Sequence, residues 1–410
     1  MTEPEVYSKP DQERIEMSLP ETIRVVHIIT KLEFGGAQMN TLYTVEHLDR
    51  EHFEVTLIAG VGGYMAPRAK ALQNTRCYFM PEMRRPISLL RDWRAFWKIR
   101  RILKKLRPHI VHTHSSKAGI VGRWAAYAAG VPVIIHTIHG FAFSEYLPAW
   151  RNMLYVFLER ITAWITTKFI AVSRANIDEG KSKGILGEHD AVNIRSGVDI
   201  QRFANAKVDR EKKLAELGIQ NGAKVVAMVS CLKPQKAPLD FLRVARYVHR
   251  QIPDARFLFV GDGEMRLRFE ERIREMRLED VVKLTGWRED VPEIMKSIDV
   301  LLLTSLWEGL PQVYPQAMAA GVPVVGTDIS GADEVVHDNV TGILVPPRRI
   351  PKIGDAVVLL LQDDALRRSM GEAGRRYLRG FDRETMVAEQ EVLYYQLVLK
   401  HLPEQFQPKS

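Results

Sequence analysis

From Ile23 onward, short runs of apolar, mostly β-branched residues alternate with longer stretches whose apolar positions recur every three or four residues. IRVVHII at 23–29, FEVTLIA at 53–59, HIVHTH at 109–114, VPVIIHTIH at 131–139 and KFIAVS at 168–173 read as buried strands. The text between them, including 37–48, 118–129 and 155–167, has the helical period. Strand and helix in alternation predict a parallel sheet with helical crossovers. The series stops in polar, charged text at 200–221 and restarts with KVVAMVS at 224–230, ARFLFVG, VVKLTG, DVLLLTS, VPVVGT and GILVPP. The pattern therefore predicts an α/β chain of two doubly wound, Rossmann-like domains facing a cleft, with the ligand at the strands' carboxyl ends. The expected layout is a disordered lead at 1–20, a first domain at 21–203, a second at 204–382, and a closing segment at 383–410. The last contains a helical pattern over 383–399 that can pack back on the first domain.

Composition narrows this only slightly. A chain of 410 residues suits two domains, and 46% hydrophobic with 26% charged residues is ordinary globular usage. Cys77 and Cys231 are the two cysteines, which argues against a disulfide framework and for a reducing, cytoplasmic setting. The lead has no apolar core of a signal peptide, and no run of about eighteen apolar residues suggests a membrane span. A net charge of +8 calls for an anionic partner without naming it. The basic segment 84–107 carries Arg94, Lys98, Arg101, Lys104 and Lys105 alongside Trp93, Phe96 and Trp97. Its apolar face suits packing on the sheet, and its basic face suits solvent or anionic lipid.

Candidate chemistry sits where strands end. DVLLL exits into Ser305-Leu-Trp-Glu-Gly-Leu-Pro311, and Pro315 must fall in the first turn of the next helix, where its missing N–H is not needed. Amides near Gln312 and Val313 then favour an anion, and Glu308 ahead of them has two readings, a sugar-hydroxyl acceptor or a partner of the helix dipole. Ser230-Cys-Leu-Lys-Pro-Gln-Lys-Ala237 places Lys233 and Lys236 in another strand-to-helix loop, as point charges for diphosphate or as surface cations. Gly35-Gly36 opens a helix after the first strand, permitting close approach of a phosphate or forming a plain loop. His139 ends its strand at the expected ligand edge, whereas His136 reads as structural. His112 and His114 share a strand face, but no third ligand has a supporting pattern, so they are expected to support the cleft rather than bind metal, with Ser115, Ser116 and Lys117 near the acceptor. Asp262, in Gly261-Asp-Gly-Glu264, reads as a turn residue.

Glu308-Gly309-Leu310-Pro311 followed by AMAAGVPVV at 317–325 resembles the donor signature of family-four retaining glycosyltransferases, and the likeness extends over most of the chain. The resemblance implies a GT-B fold, a nucleotide-diphosphate sugar, commonly a UDP-sugar, held mainly by the second domain, and a glycan or polyprenyl-diphosphate-linked acceptor on the first. It implies catalytic parts for Glu308, His139 and Lys236. It also implies donor contacts for Gly35, Gly36, Lys233, Gly261, Arg288, Gly309, Leu310, Gln312, Val313 and Gln316. No metal or other cofactor is expected, nor nucleic acid as a partner. Envelope polysaccharide assembly, with peripheral contact at the inner face of the cytoplasmic membrane, is the setting implied. The chain departs from the pattern at Gln316, where the family has a glutamate for the ribose, and at Cys231, where it has an arginine. Two alternatives stay open: a nucleotide-sugar epimerase on the same fold, and an inactive relative that binds nucleotide sugar. A nicotinamide oxidoreductase is disfavoured, because no GxGxxG follows a first strand.

An amide at 316 accepts from a ribose hydroxyl without the strength of a charge-assisted bond. Gln316→Glu is therefore expected to lower the apparent KM for donor in steady-state kinetics; an unchanged or higher value would count against ribose contact.

Overall fold

The computed structural model describes residues 22–406, so the lead read at 1–20 lies outside the described residues. Contacts divide the chain into two units, one of residues up to Ser196 together with those from Arg383 onward, the other Gly197–Asp382. The first unit runs β1 (Ile23–Ile29), α1 (Gly36–His47), β2 (Phe53–Gly60), α2 (Ala66–Lys70), β3 (Arg76–Met80), α3 (Leu89–Leu106), β4 (Ile110–His114), α4 (Ser116–Ala129), β5 (Val133–Ile138), α5 (Ala149–Ala163), β6 (Lys168–Ala171), α6 (Arg174–Ser182) and β7 (Ala191–Asn193). The second runs α7 (Ile200–Ala204), α8 (Arg210–Glu216), β8 (Lys224–Val229), a single 3₁₀ turn (Pro234–Lys236), α9 (Pro238–Gln251), β9 (Ala255–Val260), α10 (Arg266–Glu275), β10 (Val282–Leu284), α11 (Val291–Ser297), β11 (Val300–Leu303), α12 (Val313–Ala320), β12 (Val324–Thr327), β13 (Gly342–Val345), α13 (Ile350–Gln362) and α14 (Asp364–Arg376). Helices α15 (Arg383–His401) and α16 (Pro403–Phe406) then return to the first unit. Among the described residues, no helix is long and apolar enough to cross a membrane.

Both sheets are parallel, in the orders β3-β2-β1-β4-β5-β6-β7 and β10-β9-β8-β11-β12-β13. In each, the order reverses beside the first strand, so the loops after the central strands flank a switch point. Side chains of β1 alternate between two cores, as the two-residue period of a strand requires. Val25 and Ile29 pack with α1 and with Tyr394, Leu397 and Val398 of α15. Val26 and Ile28 pack with Ala95, Ile99 and Leu103 of α3 and with Ala118 and Ala125 of α4. Strands β3 and β7 were not visible in the pattern. They are edge strands of five and three residues with mostly intermediate burial, so no continuous apolar run marks them.

The boundary lies between Ser196 and Gly197, rather than after 203. Val198 forms a parallel bridge to Asp382 and donates its N–H to the Phe381 carbonyl (2.8 Å), and α7 packs on α12, so this stretch is already part of the second unit. Helix α5 also differs from expectation: it starts directly after Pro148 and ends at Ala163. Its buried residues are Glu159 and Thr162. Arg123 of α4, with no exposed surface, donates to Glu159 (2.6 Å), to the Gly119 carbonyl (2.8 Å) and to Thr166 (3.1 Å), and Trp124 donates to Thr162 (3.1 Å). These polar groups fasten the helix to α4, while Tyr155, Val156 and Ala163 pack partly buried against Ile138, Phe143 and Phe169.

Removing one member of a buried ion pair leaves the other uncompensated, at a cost of about 3 kcal/mol. Glu159→Leu is expected to lower the urea midpoint of the first unit accordingly, and an unchanged midpoint would show that Arg123 finds equal compensation elsewhere.

Candidate functional site

The loop after β11 is held against the loop after β8. Thr304 Oγ1 donates to the carbonyls of Lys236 and Ala237 (both 3.1 Å), the Leu306 N–H donates to the Gln235 carbonyl (2.8 Å), and Gln235 Nε2 donates to the Trp307 carbonyl (2.8 Å). Thr327 Oγ1, from β12, donates to the Ser305 carbonyl (2.6 Å). Ala237 pays for this register with a left-handed φ of 44°, uncommon for a residue with a Cβ. Lys236 and Glu308 meet at the centre: the ammonium pairs with Glu308 Oε1, which also accepts from Ser305 Oγ (2.7 Å). Burial alone would depress the Lys236 ammonium. The Glu308 charge, the neighbouring Cys231 and the hydrogen bond to Glu308 outweigh it and hold the group above the usual lysine range. The sequence suggested separate tasks for these two residues; the structure makes them one hydrogen-bonded unit.

Helix α12 begins at Val313 with Gln312 as its N-cap, puts Pro315 in the first turn, and ends at Gly321 in the left-handed region (φ 81°). Gly309 and Leu310 are buried beneath the loop, while Gln312, Val313 and Gln316 remain partly exposed at the helix start. Tyr314 is fully buried, with no partner for its hydroxyl among the described residues, and burial pushes its ionisation far upward. It lies over Gly326, where an added Cβ would come 2.1 Å from the hydroxyl oxygen.

The loops after β8 and β9 also interlock. Leu232 N–H donates to the Asp262 carbonyl (2.9 Å) and Met265 N–H to the Leu232 carbonyl (3.1 Å). Gly261 (φ 143°) permits this, since a Cβ there would sit 1.8 Å from the Ser230 carbonyl oxygen. Asp262 is a turn residue, accepting from Gly263 N–H (2.7 Å) and Arg266 (2.6 Å). Lys233 shares the β8 loop and is partly buried. Arg288 lies in the loop after β10. Its guanidinium is bound by Asp290 (2.6 and 2.7 Å) and Glu216 (2.5 Å), hydrogen bonds that hold it firmly charged and tie α8 to the start of α11. Its charge is therefore engaged in a structural ion-pair cluster.

In the first unit, Gly35 has extended backbone (φ 179°) and caps α1 without a side-chain hydrogen bond, and Gly36 is the first residue of that helix. The backbone shape does not demand glycine at 35, where a Cβ would meet only the flexible end of Gln38. Lys117 is occupied, pairing with Asp92 (2.5 Å) and donating to the Pro86 carbonyl (2.6 Å). Ser115 has a positive φ of 65°, and its hydroxyl lies 2.8 Å from Thr30 Oγ1. His136 is buried and bonded to Thr113 Oγ1 (2.9 Å); Gly119 lets α4 approach its ring.

The histidines on the other sheet face form a ladder. His27 Nδ1 lies 3.1 Å from His114 Nε2, and His114 Nδ1 lies 3.3 Å from His139 Nε2. His112 is held by Tyr394 of α15 and by Thr137 (both 2.6 Å). A metal pair was set aside for want of a third ligand, and the structure corrects that premise. His27 is the register partner of His112, and His27, His112 and His114 bring nitrogens within 4.8 Å of one another. Hydrogen bonds join these rings into a buried polar network that links the orientation of His139 to β1 and α15, with His27 Nε2 left unpartnered among the described residues. Burial depresses every ring: His139 to about 4, His27 to about 3 with Arg50 adding to the effect, and His112 and His114 well below the usual range. His139 is therefore neutral at pH 7, partly exposed, and shares with His114, Asn40, Thr41, Ser196 and Gln390 a small recess.

Two doubly wound parallel units, the second with a paired lysine and glutamate at the carboxyl end of its central strands, define the GT-B class of glycosyltransferases. Residues 34–202 match the Glycosyltransferase Family 4 model and residues 209–377 match Glycosyl transferases group 1. The chain is 34% identical to the Escherichia coli UDP-Gal:alpha-D-GlcNAc-diphosphoundecaprenol alpha-1,3-galactosyltransferase, over 92% of this chain and 98% of that protein. It is 27% identical to the Bacillus anthracis N-acetyl-alpha-D-glucosaminyl L-malate synthase, over 55% of this chain and 61% of that one. Among solved structures, Anabaena HepE in complex with UDP and glucose superposes with a TM-score of 0.79 at 20% identity, covering 91% of this chain and 100% of that chain. Sucrose-phosphate synthase from Thermosynechococcus elongatus gives 0.78 at 20% identity, covering 92% and 100%. The chain belongs to the family-four, group 1 glycosyltransferases, and it is an enzyme of that class.

The buried histidines make the first unit acid-sensitive. Their folded values lie below the ordinary value of about 6.5, so the unfolded chain takes up more protons as pH falls. Stability is complete above about pH 6.5 and is lost toward pH 4, by up to about 1.4 kcal/mol per histidine per pH unit. The urea midpoint should fall between about pH 7.5 and 5.5, and His27→Gln should flatten the dependence. A midpoint indifferent to pH would contradict neutral burial.

Proposed function

We propose that this glycosyltransferase moves a sugar from a UDP-sugar to a lipid-linked glycan, with retention of anomeric configuration, during assembly of an envelope polysaccharide. The observation that carries the reading is the Lys236–Glu308 pair beside the start of α12. The chemistry named for the 34% identical Escherichia coli relative supports the donor and acceptor classes. As the glycosidic bond breaks, negative charge gathers on the leaving diphosphate. Lys236 and the amides at Gln312 and Val313 meet that charge more strongly in the transition state than in the ground state. The diphosphate then competes with Glu308 for the ammonium, and the released carboxylate accepts hydrogen bonds from sugar hydroxyls. No divalent ion is required in this scheme, because the cation and helix start supply the neutralising charge. On the first unit, neutral His139 is the proposed hydrogen-bonding contact for the sugar, and the uncapped start of α1 at Gly35 and Gly36 the contact for a phosphate. Gly261, Lys233, Arg288, Gly309, Leu310 and Gln316 complete the proposed donor contacts, and the ion pairs of Arg288 also brace α8 and α11. The working place is the inner face of the cytoplasmic membrane, with the basic surface of α3 toward anionic lipid.

A mass-spectrometric screen of UDP-sugars against lipid-linked and soluble acceptors tests the reading directly. Acceptor-dependent glycan product is expected, whereas conversion of the sugar nucleotide without acceptor would identify an epimerase, and no turnover with any pair would identify an inactive binder. Lys236→Ala is expected to reduce turnover by about 100-fold; equal rates for variant and parent would remove the diphosphate role.

A further inference from the structure

Helix α5 packs on the first unit through partly buried Tyr155, Val156 and Ala163 and leaves a second, larger apolar side outward. A surface helix ordinarily turns its apolar stripe to the core, yet here Glu159 and Thr162 are the buried residues, while Trp150, Met153, Leu154, Phe157, Ile161 and Trp164 are exposed, Met153 by 72% and Trp164 by 95%. Their spacing of three and four places them along one side of the helix. Arg123 and Trp124 of α4 hold the polar side, so the outward direction of the apolar stripe is set by buried hydrogen bonds. A contiguous apolar surface of this kind marks a binding face.

The surroundings select its partner. Glu159 is the one acidic residue of α5 and it faces inward, so the charges beside the stripe are those of Arg151 and Arg160, both exposed. Helices α3, α4 and α5 pack side by side along the sheet. Exposed Trp93 and Trp97 of α3, with Arg94, Lys98, Arg101, Lys104 and Lys105, and exposed Tyr127 of α4 add aromatic and cationic groups to the same side. Tryptophan at both ends of the stripe, arginine at its flanks and a cationic neighbour are the chemistry of the water–bilayer interface, where amphipathic rings sit among headgroups and cations meet phosphate. We propose that α5 is a bilayer-docking helix, lying in the plane of an anionic leaflet with its apolar stripe among the acyl chains and Arg151 and Arg160 at the phosphates. This deepens the membrane part of the function proposed above: α3 supplies long-range attraction, and α5 supplies the insertion.

The two contributions separate in vesicle sedimentation with the full chain. Parent protein should pellet with phosphatidylethanolamine–phosphatidylglycerol vesicles and keep part of that binding at about 1 M salt, where charge attraction is screened. The Met153→Ser, Phe157→Ser, Ile161→Ser triple variant should bind about tenfold more weakly and lose the salt-resistant part, while its thermal unfolding stays unchanged because these side chains are exposed. The Arg94→Glu, Lys98→Glu, Lys105→Glu variant should lose the salt-sensitive part instead. If the triple variant pellets like the parent, the assignment of α5 is overturned while the membrane reading through α3 stands. If the parent itself ignores the vesicles, both fail. A parent that is dimeric by sedimentation equilibrium and is rendered monomeric by the triple variant would assign the stripe to a second copy and overturn the proposal. Transfer to a soluble acceptor, read separately, tests the sugar-transfer function without involving α5.

Discussion

In a parallel sheet every strand delivers its carboxyl end to the same edge, and this constraint places the chemistry of both units. Strands β8, β9 and β11 are separated by helices in sequence, yet their exit loops are neighbours because the strands run the same way in adjacent positions. Hydrogen bonds from Thr304, Leu306 and Gln235 then join two of those loops, and the close approach of Gly261 to Ser230 joins the third. Contacts to backbone carbonyls thus assemble the candidate site and bring the side chains of Lys236 and Glu308 together.

The two units solve opposite electrostatic problems. In the second, the Glu308 carboxylate outweighs the effect of burial and keeps the Lys236 ammonium charged, while Ser305 and Gln235 also donate to that carboxylate. In the first, five histidines near the carboxyl ends of β1, β4 and β5 are kept neutral by burial, and they bond to one another and to Thr113, Thr137 and Tyr394, His27 Nε2 excepted. A charged pair suits a site that must receive an anion, and a neutral ladder suits one that orients hydroxyl groups without attracting a competing ion. Helix α5 shows the same economy of polar groups used as fasteners: Arg123 and Glu159 hold it from within and release its apolar side for another partner.

Much of this was legible from the residues in order. Alternating strand and helix periods gave the two-unit parallel architecture, Pro315 and Gly321 bracketed α12, and Glu308, Lys236 and His139 fell at strand ends by local reading alone. The weak edges β3 and β7 were hidden because short, half-exposed strands carry no continuous apolar run. The family likeness, which rests on loop text after β11, also held.

The sequence by itself determined periodicity, helix punctuation and the residue types available at each strand end, because those depend on neighbours a few positions away. Only the tertiary structure decided that Lys236 and Glu308 are paired, that Arg288 is bound by Asp290 and Glu216, and that His27 joins His112 and His114. It also decided that Val198 is held by the segment at Phe381 and Asp382, and that α5 faces outward with its apolar side. Each of these depends on strand register or helix rotation, which are set by packing between segments far apart in the chain and leave no local trace.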